Sequence, residues 1–386
     1  MNAASVTSRR TWTIAFYCAG VIVFSDMYLT QPILPQLSVT FNVAPATAGL
    51  TVSVVVLMIA LGSLAVGPLS DRLGRQSVMV GSCLLLSLPT LLCALAPSFE
   101  LLLCWRALQG LCIPGLTAVA VAYLGDQLPP SALGRAVGGW IAANVAGGLS
   151  GRVFGGLISD SLGWRMSFIV FAGLTLASGI GLLLTLPRDR PSSVGGWQQA
   201  YRAMIAHLYD RQLRYAYLLA GTLFFGFLGT FTYLPYYLNA PPFQLPPSIV
   251  ALAYISYLAG VIVSPWAGSL SARYPRQRLI ALGLLIAMIG IALTLIPNLP
   301  VITLGLWTLC TGMFIAQSIA PALVNQLAQQ AKGAASALYL VAYYIGGTLG
   351  GVIPGLAWQM AGWVGVTLMC LGALGLALFA TTRLAK

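Results

Sequence analysis

Apolar runs of about 20 residues, each long enough to cross a bilayer as a helix, alternate with short polar segments along the whole chain. They predict twelve membrane spans at residues 12–35, 47–69, 77–97, 100–124, 136–158, 165–187, 215–238, 248–271, 279–297, 300–323, 335–357 and 363–383. The runs are continuous and glycine-rich, without the two-residue alternation of a transmembrane β-barrel. The pattern therefore predicts an all-α polytopic membrane protein. The longest polar stretch, 188–214, divides six spans from six. Within it Trp197, Tyr201, Met204, Ile205 and Leu208 recur at helical spacing, which predicts an amphipathic helix lying on the membrane surface.

Composition agrees with the pattern. Of 386 residues 59% are hydrophobic and 7% charged, against about 25% charged in soluble domains. The net charge of +12 does not mark a nucleic-acid binder, because the basic residues form no single patch with interleaved aromatics. They fall in alternate loops instead. Arg9, Arg10, Arg72, Arg75, Arg135, Arg188, Arg190, Arg202, Arg211, Arg214, Arg273, Arg276, Arg278, Lys332, Arg383 and Lys386 share one side, 16 of the 19. The positive-inside rule makes that side cytoplasmic, and with it both termini. The first apolar segment leads into another span and carries no small-residue cleavage site. The seven cysteines are scattered through spans without CxxC spacing, and His207 is the lone histidine. Neither supports a metal site, and no cofactor motif is present.

The two sets of six spans also match each other. GPLSDRLGRQ (67–76) aligns with GSLSARYPRQ (268–277) at an offset of 201, and WRALQG (105–110) with WTLCTG (307–312) at 202. GGLSG (147–151) aligns with GGTLG (346–350), and GW (163–164) with GW (362–363), both at 199. A duplicated six-span unit follows: residues 1–187, a linker 188–214, and residues 215–386. Such duplication places a transport site centrally, between the copies.

On these motifs the chain resembles the major facilitator superfamily, and within it the twelve-span drug:proton antiporters. GPLSDRLGRQ is similar to the superfamily's loop signature after span two, and CWRALQG (104–110) to its R-x-x-Q-G motif in span four. Span five follows the antiporter glycine pattern through Gly138, Gly147, Gly151, Gly155 and Gly156, with Arg152 where the pattern has proline. DMYLTQPILP (26–35) is like the end of span one in these transporters. Some enterobacterial inner-membrane members also carry S-G-R in span five. The resemblance implies a bacterial inner-membrane protein, monomeric, acting on a small molecule together with protons. It also implies a conformational latch of Gly67, Asp71, Arg72, Gly74, Arg75 and Asp126. There Asp71 would sit against the start of span eleven, and Asp126 would pair with Arg72 or Arg75. In the second copy Ala272 replaces the acid and Pro275 the glycine, so that copy is expected to lack the latch.

Asp26, Arg106 and Arg152 are the ionisable residues well inside predicted spans. At about 1.5 Å per residue, Asp26 lies roughly 20 Å and Arg152 roughly 24 Å from the cytoplasmic side. Arg106 lies roughly 9 Å from the outer side of a core about 30 Å thick. All three fall at similar depth in the first copy, where buried charges pair or face water. Asp26 is the sole deep carboxylate and so the candidate proton carrier. Two arginines against one acid leave a surplus positive charge, which suits a carboxylate-bearing substrate gripped in a bidentate way. A fixed ion pair joining three helices is the alternative. Polar neighbours on the same spans, Tyr28, Gln109 and Asn144, complete the candidate substrate contacts of the first copy. Tyr257, Gln317 and Tyr343 are those of the second, whose spans carry aromatics and no charge.

Two functions fit: a proton-coupled exporter of small amphipathic molecules, or a facilitator or proton symporter for a small organic anion. A membrane-embedded enzyme is disfavoured, because no catalytic dyad, metal set or phosphate loop appears.

Overall fold

The computed structural model describes residues 3–189, 197–328 and 330–384. Of the basic residues that set the expected topology, Arg190 and Lys386 lie outside that set. The described residues are helical almost throughout, with no strand among them.

Proline and glycine punctuate the helices. Helix α1 (Ala3–Tyr28) stops four residues before Pro32, which lacks the N–H that the Tyr28 carbonyl would need. A 3₁₀ turn (Gln31–Ile33) and α2 (Leu34–Phe41) complete the first crossing. Then come α3 (Pro45–Leu73) and α4 (Arg75–Ala94). The fourth crossing is broken at Pro114 and again at 118–119, into α5 (Phe99–Cys112), α6 (Pro114–Thr117) and α7 (Ala120–Gln127). Helices α8 (Pro130–Leu162) and α9 (Trp164–Thr185) close the first copy.

The amphipathic segment forms α10 (Trp197–Tyr209). Helix α11 (Arg211–Asn239) is followed by an eighth crossing built from α12 (Pro247–Leu252), a 3₁₀ turn (Ala253–Tyr257) and α13 (Leu258–Leu270). Helices α14 (Arg276–Leu293), α15 (Leu299–Leu327) and α16 (Lys332–Arg383) complete the chain. The 52 residues of α16 would reach about 78 Å if straight, far beyond one bilayer. The helix instead breaks at Ala361 and Gly362, the latter at φ 55, so it supplies two crossings. Among the described residues eleven helical segments are long and apolar enough to span, and this break makes twelve crossings.

Contacts divide the chain into two compact units, Met1–Gln36 with Val54–Gly195, and Leu37–Ser53 with Gly196–Lys386. In the second unit the Leu37–Ser53 stretch is tied down by polar contacts. The hydroxyls of Ser38 and Tyr236 lie 2.6 Å apart, and Ser53 donates to the Thr348 carbonyl at 2.8 Å.

The internal repeat is visible as a packing device. A Cβ on Gly147 would fall 2.3 Å from the Val21 carbonyl oxygen, and one on Gly151 would fall 2.2 Å from that of Ser25. In the second copy Gly346 meets Gly221, and Gly350 meets Phe225, at similarly short range. Small residues at this spacing let two helix backbones touch. Glycine therefore fixes the register of α8 on α1, and of α16 on α11.

Candidate functional site

The three deep charges bracket the break in α1, residues 26–31. Asp26 is fully buried, and its Oδ2 accepts the Thr175 hydroxyl of α9 at 2.6 Å. Its Oδ1 has no hydrogen-bond partner among the described residues. Among those residues no hydrogen bond or ion pair joins its carboxyl group to Arg106 or Arg152.

Arg106 approaches Asp26 through the backbone. Nη1 donates to the Asp26 carbonyl at 3.0 Å and to Gln109 Oε1 at 2.7 Å. Nη2 donates to the Met27 carbonyl at 3.0 Å and reaches Thr30 Oγ1 at 3.5 Å. These carbonyls belong to the last turn of α1, where a helix leaves its final acceptors open and a cation is favoured. Gln109 passes the contact to α4, donating to Thr90 Oγ1 at 2.7 Å, while the Cys93 thiol lies 3.6 Å from Gln109 Oε1. The R-x-x-Q spacing puts both side chains one turn apart on one face of α5. Together they clamp α1 to α4.

Arg152, on α8, holds the other side of the break. Its Nε donates to Gln31 Oε1 at 2.6 Å, Nη1 donates to the Gly148 carbonyl, and the guanidinium lies 3.8 Å from the centre of the Tyr28 ring. At that distance the ring face attracts the cation. The side chain is 1% exposed. In the amide orientation that satisfies both groups, Asn144 exchanges two hydrogen bonds of 3.2 Å with Trp140 one turn back, away from the arginines.

Of the first copy's candidates, Asp26, Arg106 and Gln109 thus form one connected group and Tyr28 with Arg152 a second. Thr175, Thr90 and Gln31 are further participants that sequence reasoning passed over.

In the second unit the candidates stand apart. Tyr257 packs in an aromatic group with Phe231, Phe227 and Phe314 at ring separations of 4.7, 5.1 and 6.2 Å. Tyr343 stacks on Phe224 at 4.0 Å. Gln317 is half-buried on α15.

The loop after α3 forms a separate polar cluster. Gly74 takes φ 89, a conformation that glycine adopts without strain, and it turns the chain into α4. Of the two candidate arginines, Arg75 is the one that meets Asp126. Its Nη1 donates to that carboxylate and to the Ala122 carbonyl, and Nη2 lies 3.3 Å from Asp71 Oδ1. Arg72 is exposed, a Cβ on Gly67 would meet open space, and Ser70 donates to the Gly67 carbonyl. Asp189, beyond the end of α9, was not foreseen. Its carboxylate accepts the backbone N–H groups of Arg75 and Gln76, capping α4. Tyr123 of α7 donates to the neighbouring Pro187 carbonyl at 2.9 Å, so the chain leaving α9 is fastened to both α4 and α7. In the span-five glycine pattern Gly147 and Gly151 press on α1 and Gly155 on Leu29 just beyond it, a Cβ on Gly138 would meet open space, and Gly156 is buried.

The profile of the Major Facilitator Superfamily matches residues 16–351. The chain belongs to this superfamily. It is 35% identical over 375 residues to the inner membrane transport protein YnfM of Escherichia coli (strain K12), covering 96% of this chain and 90% of YnfM. A transporter of Buchnera aphidicola subsp. Baizongia pistaciae is 33% identical over 369 residues, covering 94% and 92% of the two chains. In fold the chain is similar to the crystal structure of a bacterial homologue of the human lysosomal transporter Spinster. The TM-score is 0.80 at 18% identity, over 97% of this chain and 95% of that one. It is therefore a multi-pass membrane transporter of a family of non-enzymatic carriers.

Proposed function

We propose that this transporter exports small amphipathic compounds, drug-like molecules or metabolites, in exchange for protons by alternating access. The observation that carries the proposal is the setting of the Asp26 carboxyl group. It is buried in a span, held by one hydroxyl through Oδ2, with Oδ1 unpartnered among the described residues. An ionised carboxylate with a single hydrogen bond is costly in such a place, and a proton on Oδ1 removes the charge. Asp26 therefore carries the proton. Its carbonyl is gripped by Arg106, so a substrate that draws on Arg106 or Arg152 moves the helix bearing the acid.

Substrate contacts in this reading are Tyr28, Gln109, Asn144 and the two arginines in the first copy, and Tyr257, Gln317 and Tyr343 in the second. Asp71, Arg72, Arg75 and Asp126 with Gly67 and Gly74 act as a cytoplasmic latch, and the 188–214 linker and both termini face the cytoplasm. The transporter works as a monomer in a bacterial inner membrane.

The test is a proteoliposome assay with an internal pH reporter. Transported compounds should drive proton movement with the native protein and none with Asp26→Asn. Transport unchanged by that substitution and by ionophores overturns the coupling. A second reading, a facilitator or proton symporter for a small organic anion, is favoured by the two buried guanidiniums against one acid at the α1 break. It predicts uptake of a carboxylate-bearing compound that is lost in Arg152→Gln.

A further inference from the structure

Helix α10 packs on its own unit through one narrow face. Met204 and His207 are half-buried there, and His207 Nε2 lies 3.3 Å from the Ala331 carbonyl at the start of α16. The rest of the described arc points away from the protein. At 100° per residue, Leu208, Ile205, Tyr209, Arg202 and Ala206 follow one another around about 160° of the helix. All five are exposed, Ile205 at 56%, Leu208 at 48% and Tyr209 at 82%.

Basic residues surround this apolar arc. Arg202, Arg211, Arg214 and Lys332 are exposed. The one nearby acid, Asp210, is occupied: its Oδ1 accepts the N–H groups of Gln212 and Leu213 and caps α11. The arc therefore combines large apolar side chains with four cations against one carboxylate. That combination suits an interface where hydrocarbon begins below a layer of phosphodiester anions.

We infer that α10 is a docking helix for acidic phospholipids, seating Ile205, Leu208 and Tyr209 between headgroups whose phosphates meet Arg202, Arg211 and Arg214. The His207–Ala331 contact extends that anchor to the first turn of α16. Ala331 holds a left-handed conformation there, φ 45, which a side chain adopts only when its surroundings impose it. The lipid surface thereby steadies the entry to the eleventh crossing, and a bilayer without acidic lipid leaves α10 loosely held.

Amide hydrogen exchange of the full-length protein in nanodiscs tests this without a substrate. Residues 202–209 should exchange at least about tenfold more slowly in phosphatidylglycerol-containing discs than in phosphatidylcholine discs. The difference should vanish in Arg202→Gln/Arg211→Gln/Arg214→Gln and shrink at about 0.5 M salt, where screening is strong. A control removing the same charge elsewhere, Arg135→Gln/Arg273→Gln/Arg278→Gln, should keep it. Equal exchange in both lipids, or equal loss in the control, overturns the inference. If the triple variant does not fold, the salt series on the native protein decides.

Discussion

The two copies use the same backbone device and fill it with opposite chemistry. Gly151 rests on the Ser25 backbone, and Gly350 on that of Phe225, which equates the copies at an offset of 200 on α1 and α11. One residue on, the first copy has Asp26 and the second Gly226. On α8 and α16, offset 199, Arg152 corresponds to Gly351, whose carbonyl accepts the Tyr233 hydroxyl at 2.8 Å. On α5 and α15, offset 202, Arg106 stands where the second copy has Thr308. All three deep charges belong to one copy, and its partner offers tyrosine hydroxyls and stacked rings. Packing tolerates little change at the helix contacts, whereas side chains next to them are free to diverge.

The largest effect tests the shared part. Gly151→Leu and Gly350→Leu each drive a side chain into backbone closer than van der Waals contact, and both should prevent recovery of folded protein from membranes. Monodisperse protein from one of them would break the equivalence. Next comes the divergent part. Asp26→Asn keeps a hydrogen-bond acceptor for Thr175, so its Tm should stay near native while substrate-driven proton movement disappears. Arg106→Met leaves the Asp26 and Met27 carbonyls without the guanidinium and should cost about 3 kcal/mol in unfolding free energy, because buried acceptors lose charged partners. Thr308→Met should cost much less. Smaller again, Asp189→Ala removes the cap of α4 and should cost about 1 kcal/mol. In the second copy α14 starts after Pro275, whose own side chain cannot cap it.

Much of this was legible beforehand because apolar length, loop charge and repeat offset are properties of contiguous sequence. Depth counting also placed Asp26, Arg106 and Arg152 at one level. It could not say that Arg106 grips the Asp26 and Met27 carbonyls of α1, because an open carbonyl at a helix end has no sequence signature of its own. Thr175 was reachable by the same counting, as a hydroxyl mid-way along an apolar helix, but threonine is common there and carries little information. Asp189 had no local signal. It caps a helix more than 110 positions away in the chain, and only the fold brings the two together.

The smallest predicted effect separates stability from conformational control. Arg75 donates to Asp126 in the first copy, and Arg276 donates through the same atom to Gln326 in the second. The pairs are related by offsets of 201 and 200, so the second copy keeps the contact and replaces the acid with an amide. Arg75 and Asp126 are 21% and 50% exposed, and exposed ion pairs contribute about 0–1 kcal/mol. Asp126→Gln should therefore lower Tm only slightly, and Gln326→Asp should raise it by a similarly small amount. If the first loop latches one transport state, Asp126→Gln will change the transport rate well beyond what that small energy implies for folding, and Gln326→Asp will not. Matching small changes in rate from both substitutions would mean that the ion pair is only a surface contact and that the copies differ here in charge alone.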